Sequence, residues 1–443
     1  MKKIIISLLI IFCTIYLLKA QSWVPLGSGT NGEISALIVY NNNLYAEGFF
    51  DSAGGQSASY VAEWNGTTWS PLGKGVNGVN QVGQVCALIP YQGNLIAGGY
   101  FSTAGGNSAN NIAAWNGTSW SNLGSGADYF VKAFTLFNDT LIAGGNFGTV
   151  NGIRVNFIAA WNGTSWDSLS SGMNADVGAL IVYKGNLIAA GAFTSAGGNP
   201  ANCIAAWNGT SWTALGTGLN GFVNALDTLN GYLYVGGAFS DAGGSPARNI
   251  AKWDGTSWSS VGKGVNSIVY ALTNFNGNLY VGGDFDTAGT TPAQSIAKWN
   301  GTSWSSFCSG MNNDVGALVV YNGNLYAGGY FDTASGTNIN YIAKLNDTTP
   351  CIVTAVNTEV KPLTYIDVYP NPNNGQFTLS LSNVNTAWNV EIYNVLGEKV
   401  YSEPLSVTNN AINLAGQPNG IYLYRVITET GNLGGEGKII IQK

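Results

Sequence analysis

Three acidic side chains occupy one position of a repeating sequence and could act together in catalysis. Glu33, Asp176 and Asp314 each stand three residues before a repeated alanine, in the first, fourth and seventh copies of the repeat. If the first and seventh copies are neighbours in space, Glu33 and Asp314 can approach each other, as the paired carboxylates of glycosidases do. The same acids could equally be solvated loop residues, because paired acids also occur in purely structural settings.

Other catalytic chemistry is restricted by composition. The 443 residues contain no histidine, which excludes Ser-His-Asp and Cys-His catalysis and histidine-ligated copper or zinc. Three arginines could bind phosphate or carboxylate through two parallel hydrogen bonds from the guanidinium group: Arg154, Arg248 and Arg425. The glycine-rich stretches follow the repeat and precede no helix, so no phosphate-binding loop is present. We therefore expect no metal and no cofactor.

The cysteines show neither zinc spacing nor a disulfide framework. Cys86 and Cys203 lie beside apolar strands and are interpreted as small buried residues. Cys308 and Cys351 lie in connections and form a weak disulfide candidate.

Binding is expected on the face that carries the longer loops, because loops on a rigid scaffold commonly carry function. Tight Asn-Gly turns occupy the opposite face. The longer loops offer asparagine, serine, threonine and aspartate side chains, which suit hydroxyl-rich ligands or calcium, although not in a recognisable spacing. The candidate binding residues on this face are Asp176, Asn312, Asn313, Asp286 and Asp332.

These residues belong to a repeat marked by the hexapeptide WNGTSW and its near copies. The second tryptophan of each copy falls at positions 23, 69, 120, 166, 212, 258 and 304, so the period is 46 with one step of 51. The extra five residues lie within positions 75–85. A period of about 40 to 50 is typical of propeller blades.

Each copy predicts four short strands, best seen at Ala317 to Tyr321 and Leu325 to Gly329, which an Asn-Gly turn connects. The two tryptophans of WNGTSW flank a turn, so we expect them to face each other across a strand pair. Continuous apolar runs indicate strands buried on both faces, and seven radial sheets would bury them. The Gly-Gly pairs allow close approach between sheets.

The two ends of the repeat region complement each other. Ser22 to Leu26 reads as a fourth strand without its first three, and the last copy ends at Leu345 with three strands and no fourth. Pairing these ends would close the ring and remove exposed edges. The predicted fold is therefore all-β: a seven-bladed β-propeller closed by the N-terminal strand, followed by a small β-sandwich.

The repeat resembles the kelch repeat, through its strand-turn-strand with a Gly-Gly ending, an aliphatic strand and a tryptophan after a turn. The string Phe-x-x-Ala-Gly-Gly followed by Ile-Ala-x-Trp-Asn-Gly-Thr-Ser-Trp also resembles the repeats of fungal cortical cell-polarity markers and of exported bacterial propellers. The resemblance covers Gln21 to about Asp347. It implies a propeller fold and little about activity, because propellers host unrelated functions.

The segment at 365–443 has a different sequence pattern from the repeats. Strands with alternating apolar residues lie between turns of Asn, Gly and Pro, which indicates a sandwich of about seven strands. Its Tyr369-Pro-Asn-Pro372, the Asn-Gly-x-Phe step at Asn374, the Leu-Gly-Glu-Lys turn and the terminal Lys443 resemble the type A sorting domain of the Bacteroidetes type IX secretion system. The resemblance implies the type IX machinery as partner of residues 365–443. It further implies passage through the outer membrane, then removal of the tail and release or surface attachment of the cargo.

The first twenty residues have the layout of a cleaved secretory leader, with a cut between Ala20 and Gln21. Three of the 17 basic residues lie in this leader, so the mature chain has 14 bases against 23 acids and a formal charge of −9. Such a surface offers no basic patch for nucleic acid, and no later segment is apolar enough to span a bilayer. The predicted domains are the leader at 1–20, the propeller at 21–349, a linker at 350–364 and the sorting domain at 365–443.

Three functions remain open at this point. The first is an exported binding or adhesion module for a glycan or a protein, secreted or held at the outer-membrane surface. The second is a polysaccharide-active enzyme that uses Glu33 and Asp314. The third is a structural component of a surface layer, for which near-identical repeats are expected.

Overall fold

The computed structural model describes residues 22–78, 83–307, 309–346, 366–381, 388–395, 397–405, 408–428 and 433–443. These residues form two compact units, one ending at residue 346 and the other beginning at residue 366. The predicted leader with its Ala20–Gln21 cut, the 350–364 linker, Cys308 and Cys351 lie outside the described residues. The described part of the chain is all-β, as predicted, and contains no helix with the length and apolar character needed to cross a membrane.

The first unit contains seven antiparallel sheets of four strands, numbered here 1 to 7 along the chain. The inner strands are Glu33–Tyr40, Gln84–Tyr91, Val131–Phe137, Val177–Tyr183, Phe222–Leu229, Val269–Phe275 and Val315–Tyr321. The second strands are Asn43–Phe49, Asn94–Tyr100, Thr140–Gly145, Asn186–Gly191, Tyr232–Ala238, Asn278–Gly283 and Asn324–Gly329. The third strands are Val61–Trp64, Ile112–Trp115, Ile158–Trp161, Ile204–Trp207, Ile250–Trp253, Ile296–Trp299 and Ile342–Asn346. The outer strands are Trp69–Pro71, Trp120–Asn122, Trp166–Ser168, Trp212–Ala214, Trp258–Ser260, Trp304–Ser306 and, in sheet 7, Ser22–Pro25.

Short two-residue ribbons, which the sequence analysis did not predict, lie in the longer loops between second and third strands. They pair Ser52–Ala53 with Gln56–Ser57, Thr103–Ala104 with Asn107–Ser108, Thr149–Val150 with Ile153–Arg154, Ser195–Ala196 with Asn199–Pro200, Asp241–Ala242 with Ser245–Pro246, Thr287–Ala288 with Thr291–Pro292, and Thr333–Ala334 with Thr337–Asn338. In sheet 2 the strand Val76–Asn77, at the start of the five-residue insertion, joins this ribbon. The sheets as a group fit propeller-like blades.

The N-terminal strand pairs antiparallel with the last strand of the repeat region, and Trp23 stands opposite Leu345. The inner strand of sheet 1 lies against that of sheet 7, as each other inner strand lies against its neighbours. Every inner strand has one bulged residue near its start, where the register shifts. The bulged residues are Ser35, Cys86, Lys132, Gly178, Asn224, Tyr270 and Gly316. A bulge re-aims a side chain out of the regular alternation.

The repeated glycines sit where neighbouring sheets crowd together, as predicted. A methyl group on Gly236 would lie 2.4 Å from Cγ1 of Val269 in the next sheet, and one on Gly144 would lie 2.6 Å from Cγ1 of Val177. Both distances are far below van der Waals contact. Glycine at this position therefore lets these two pairs of sheets approach so closely.

The tryptophan pairs face each other across the third and outer strands, which confirms the prediction for the hexapeptide. Trp64 stands opposite Trp69 with ring centroids 5.4 Å apart, and the other five pairs lie at 5.2 to 5.4 Å. The outer tryptophan also reaches the preceding sheet, since the indole N–H of Trp120 donates to the carbonyl of Leu72 at 2.8 Å. The hexapeptide thus stabilises both its own sheet and the joint to the sheet before it.

The second unit contains two sheets that share one apolar core. One sheet is formed by Ile366–Tyr369, Gln376–Leu381 and Asn409–Asn413, and the other by Lys399–Leu405, Trp388–Tyr393, Gly420–Thr428 and Leu433–Ile441. The seven strands match the number expected for the small sandwich.

Candidate functional site

The inner strands of the first unit surround a cavity of about 260 Å³. Six inner strands contribute the bulged residue and the next two positions, such as Ser35, Ala36 and Leu37 in sheet 1, and sheet 3 contributes Ala133 and Phe134. The repeated alanine keeps the axis open, because a larger side chain on every strand would fill it. The cavity's mouth lies where the inner strands begin and the second strands end, and this end is called the mouth face below.

Three acidic side chains gather on the mouth face around Tyr270. Glu33 begins the inner strand of sheet 1, and Asp314 immediately precedes that of sheet 7. Burial raises the pKa of Glu33. The pKa of Asp314 is raised first by burial and then by Asp284, within hydrogen-bonding reach, and by Glu33. Burial and the same three carboxylates raise the pKa of the Tyr270 phenol.

The proximity of Glu33 and Asp314 agrees with the expectation from the sequence, whereas Asp284 was not among the candidate residues there. Its position directly after the Gly-Gly pair of sheet 6 was the available signal, because that position ends a second strand beside the mouth. Tyr270 was missed because it occupies the bulge, whose orientation does not follow strand alternation.

Asp176 lies apart from this acidic cluster and makes an ion pair. Lys132 Nζ, at the bulge of sheet 3, stands 2.6 Å from Asp176 Oδ2. The other oxygen, Oδ1, is buried and has no hydrogen-bond partner among the described residues. Asp176 therefore already has a cationic partner within the chain.

Two other candidates form part of a recurring loop contact. Asn312 Nδ2 donates to Asp332 Oδ1 at 2.7 Å, and Asn266 Nδ2 donates to Asp286 Oδ1 at 2.6 Å. The Asn312 Oδ1 atom also accepts the backbone N–H groups of Asp332 and Thr333. The hydroxyl of Thr287 and the Asn266 amide lower the pKa of Asp286. These contacts hold each long loop to the connection before its inner strand.

A crevice of about 570 Å³ opens on the mouth face between sheets 6 and 7. Its lining includes the predicted residues Asp286, Asn312 and Asn313, together with Asp284 of the acidic cluster. A similar crevice of about 610 Å³ lies between sheets 5 and 6 and includes Arg248. The predicted binding residues are thus divided: three line one crevice, Asp332 contacts Asn312, and Asp176 lies with Lys132.

Glu47 is a buried acid that the sequence analysis did not single out. It stands in the second strand of sheet 1, where the other sheets carry a small residue: Gly98, Gly144, Ala190, Gly236, Gly282 and Gly328. Its side chain is fully buried, and neither carboxylate oxygen has a hydrogen-bond partner among the described residues. Burial raises its pKa well above the ordinary value of 4.5, because the low-dielectric interior disfavours the charged carboxylate.

Cys86 lies close enough to Glu47 for the two to interact electrostatically. Burial and then the Glu47 charge raise the pKa of the Cys86 thiol to about 12, so this thiol is not a nucleophile near neutral pH. Cys86 is half-buried in the cavity wall, not fully buried as interpreted from the sequence, because it occupies a bulge; Cys203 is buried as interpreted. The described residues contain no group of acidic and cysteine side chains that could hold a metal ion.

Aromatic rings cover one side of the mouth face. Tyr100 stacks on Phe130 at 4.5 Å and 16°, and Tyr129 packs edge-on against both rings at 5.6 and 5.0 Å. Phe49 in sheet 1 and Tyr330 in sheet 7 occupy the position of Tyr100 and are 52% and 57% exposed. Sheets 4 and 5 carry Ala192 and Ala238 at this position. The exposed aromatic rings of the mouth face are therefore contiguous over sheets 7, 1, 2 and 3, whereas Phe222 of sheet 5 is an exposed ring outside this group.

Several solved structures are similar to this chain at low sequence identity. PorZ, a surface component of the type-IX secretion system of Porphyromonas gingivalis, is 14% identical with a TM-score of 0.45, over 95% of this chain and 61% of that protein. The extracellular domain of the hybrid two-component system BT4673 from B. thetaiotaomicron is 13% identical with a TM-score of 0.46, over 96% of this chain and 59% of that one. The designed protein Ika8 is 14% identical with a TM-score of 0.45, over 95% of this chain and 100% of that protein. The chain thus spans about six tenths of the two natural proteins.

No curated protein sequence matches this chain. Residues 367–442 match the family model of the secretion system C-terminal sorting domain. The match covers the second unit, including Tyr369-Pro-Asn-Pro372 and the strand before the terminal lysine, on which the resemblance rested. The second unit is therefore a type IX sorting domain, and it marks the protein for secretion and anchoring at the cell surface.

Proposed function

We propose that the first unit is a seven-bladed, kelch-like β-propeller whose ring is closed by the N-terminal strand. The contacts of residues 22–29 support this proposal, because they repeat those found between other neighbouring sheets. Trp69 donates its indole N–H to the Leu26 carbonyl at 3.1 Å, as Trp120 does to Leu72. Asn340 Nδ2 donates to the Ser28 carbonyl at 2.8 Å.

Equivalent asparagines in other sheets make the same bond to the residue 15 positions later: Asn110 to Ser125, Asn156 to Ser171 and Asn202 to Thr217. On the opposite face, the Tyr321 hydroxyl of sheet 7 donates to the Asn42 carbonyl of sheet 1 at 3.0 Å. The Tyr183 hydroxyl makes the matching bond to Gly231 at 2.8 Å. Sheets 7 and 1 are thus joined like consecutive sheets, although they lie at opposite ends of the repeat.

The propeller acts as a surface-displayed binding or adhesion module for a glycan or a protein. The observation that carries this proposal is the asymmetry of the mouth face, where acids, polar crevices and exposed aromatic rings concentrate on a scaffold that otherwise repeats. In a purely structural layer protein, near-identical repeats are expected, without such variation in residue type at one end of the sheets. Exposed aromatic patches rimmed by polar groups mark interaction sites.

The test is binding of the secreted full-length chain to an array of polysaccharides and of surface proteins. A variant with Glu33→Gln, Asp314→Asn, Tyr129→Ala and Tyr330→Ala removes the distinctive groups of the mouth face together. We expect retention of at least one array ligand by the wild type and its loss in this variant. A wild-type chain that binds nothing on the array would contradict the proposed function.

Export follows the order implied by the resemblance of the tail. The leader at 1–20 is cut after Ala20, the protein crosses the periplasm, and the type IX machinery recognises the sorting domain within 365–443. The tail is then removed, and the propeller is released or attached to surface lipopolysaccharide. Removing residues 365–443 should leave the propeller in the periplasm, which fractionation and blotting would detect.

A polysaccharide-active enzyme is the second candidate, favoured by the mutual electrostatic influence of Glu33, Asp284 and Asp314. A carboxyl with a raised pKa can donate a proton to a leaving group, while an ionised neighbour acts as base or nucleophile. Turnover on a glycan panel that is lost in Glu33→Gln with Asp314→Asn would support this candidate. A wild-type protein that binds glycans and releases no reducing ends would exclude it.

A further inference from the structure

The aromatic side of the mouth face offers a surface that the acidic cluster does not explain. Tyr100, Phe130 and Tyr129, together called the aromatic shelf, form one contiguous group across sheets 2 and 3. Tyr129 is 44% exposed. Large apolar rings are seldom left in water without a partner, and a contiguous group of them marks an interaction surface.

The exposed rings continue along the rim on consecutive sheets. Phe49 packs on Tyr60 at 6.0 Å, and Tyr330 packs on Tyr341 at 6.3 Å. In each of these pairs the first ring ends a second strand, and the other lies just before the third strand of the same sheet. The exposed ring is therefore held in place by its neighbour, which lowers the entropy lost when a ligand contacts it.

The acidic cluster borders these rings on the side of the cavity. Glu33 stands opposite Phe49 in the register of sheet 1, and the backbone N–H of Tyr330 donates to the Asp314 carbonyl at 2.9 Å. Each of these exposed rings thus has a hydrogen-bonding carboxyl beside it. This combination matches a sugar ring, which presents apolar C–H groups on its faces and hydroxyl groups on its edge.

We propose that the mouth face binds a neutral polysaccharide chain, with successive sugar rings stacked on the aromatic shelf, Phe49 and Tyr330. This inference rests on the proposed binding function and names its ligand class. A row of rings over four neighbouring sheets fits an extended polymer better than a single sugar.

A cationic ligand fits the geometry less well. Quaternary ammonium ligands are held in cages of aromatic faces that surround one point, whereas Tyr100 and Phe130 stack nearly parallel, at 16°, and expose a flat surface. Glu33 and Asp314 also have raised pKa values. A raised pKa disfavours the charged form of both carboxyls, which weakens their attraction for a cation.

Affinity electrophoresis and calorimetry on the full-length chain test this inference. The probes are hydroxyethyl cellulose, galactomannan and soluble starch as neutral chains, polygalacturonate as an anionic chain and polylysine as a cationic one. The variants are Tyr129→Ala and Tyr330→Ala. Leu136→Ala and Val182→Ala are matched controls, because both are exposed apolar residues near the opposite ends of inner strands. Tryptophan fluorescence during thermal unfolding shows whether each variant is folded.

We expect at least one neutral polysaccharide to bind the wild type and each aromatic variant to weaken it about tenfold, which corresponds to about 1.4 kcal/mol. The controls should bind as the wild type does. Equal binding by wild type and aromatic variants would overturn the inference and leave the proposed binding function intact. Binding of polylysine or polygalacturonate alone, or of proteins alone on the array, would overturn the polysaccharide assignment. Failure to bind any probe or array ligand would overturn both.

Discussion

Glu47 should make the propeller less stable as the pH rises. Its pKa in the native state is well above the ordinary 4.5 because the carboxyl is buried. The native state therefore holds the proton more tightly than the unfolded chain does. The contribution of the Glu47 proton to the free energy of unfolding is fully present below pH 4.5. It is lost progressively as the pH rises from there through the native pKa, at up to about 1.4 kcal/mol per pH unit.

Two substitutions separate ionisation from the cost of burying a polar group. Glu47→Gln keeps a polar side chain of the same shape that cannot ionise, so it should match the wild type near pH 4 and exceed it increasingly above that. Glu47→Leu also removes the unsatisfied oxygens, and we expect an additional gain of about 1 to 3 kcal/mol at every pH.

Denaturant unfolding of the full-length chain between pH 4 and 9, followed by tryptophan fluorescence, measures these differences. All tryptophans except Trp388 lie in the first unit, so the signal reports mainly on the propeller. Other acids titrate equally in all three proteins and cancel in the differences. A Glu47→Gln free energy of unfolding that runs parallel to the wild type across this range would refute the reasoning, because it would mean that Glu47 ionises alike in both states.

Three further predictions follow from packing and charge. Deleting residues 22–29 should abolish the single cooperative unfolding transition of the propeller or cause aggregation, and an unchanged denaturation curve would contradict ring closure. Gly236→Ala should cost about 1 to 3 kcal/mol in denaturant unfolding, because the added methyl meets Val269 at 2.4 Å. Glu391→Gln should destabilise the sorting domain at pH 7 and not at pH 2, as measured by hydrogen exchange of the strand Trp388–Tyr393. The Lys399, Tyr393 and Arg425 side chains lower the pKa of Glu391 to about 2, so its contribution is present above pH 4.5 and lost as the pH falls towards 2.

The repeated features could be predicted from the sequence because each has a local cause. The WNGTSW turn is closed by its own side chain, since Asn162 Oδ1 accepts the backbone N–H groups of Thr164 and Ser165 at 2.9 Å. The tryptophan pair follows from the strands that this turn connects. The Gly-Gly pairs follow from crowding between sheets. Because the same local sequence pattern occurs seven times, the strands could be predicted without knowledge of long-range contacts.

The site was predicted only in part because its contacts are made between copies. Spacing in the chain placed Glu33 and Asp314 at one repeat position, and the inner strands of sheets 1 and 7 lie against each other. Spacing could not show that Lys132 lies next to Asp176, because Lys132 occupies a bulge. It also could not show that Asn312 and Asp332 bond to each other, since their hydrogen bond links two connections 20 residues apart.

Most positions at which the copies differ are those that the fold leaves free. The outer tryptophans and the axial alanines do not vary, and five of the seven copies carry a glycine whose added methyl would lie 2.4 to 2.6 Å from the next sheet, with Glu47 and Ala190 as the exceptions. The ends of the second strands carry no such constraint, and there phenylalanine, tyrosine, alanine, asparagine and aspartate alternate. If these positions served the fold alone, their residue types would vary from sheet to sheet without a pattern. Instead, the aromatic residues occupy neighbouring sheets, and the acids adjoin them. That ordering around the ring argues for a ligand that contacts several sheets at once and enters from the mouth face.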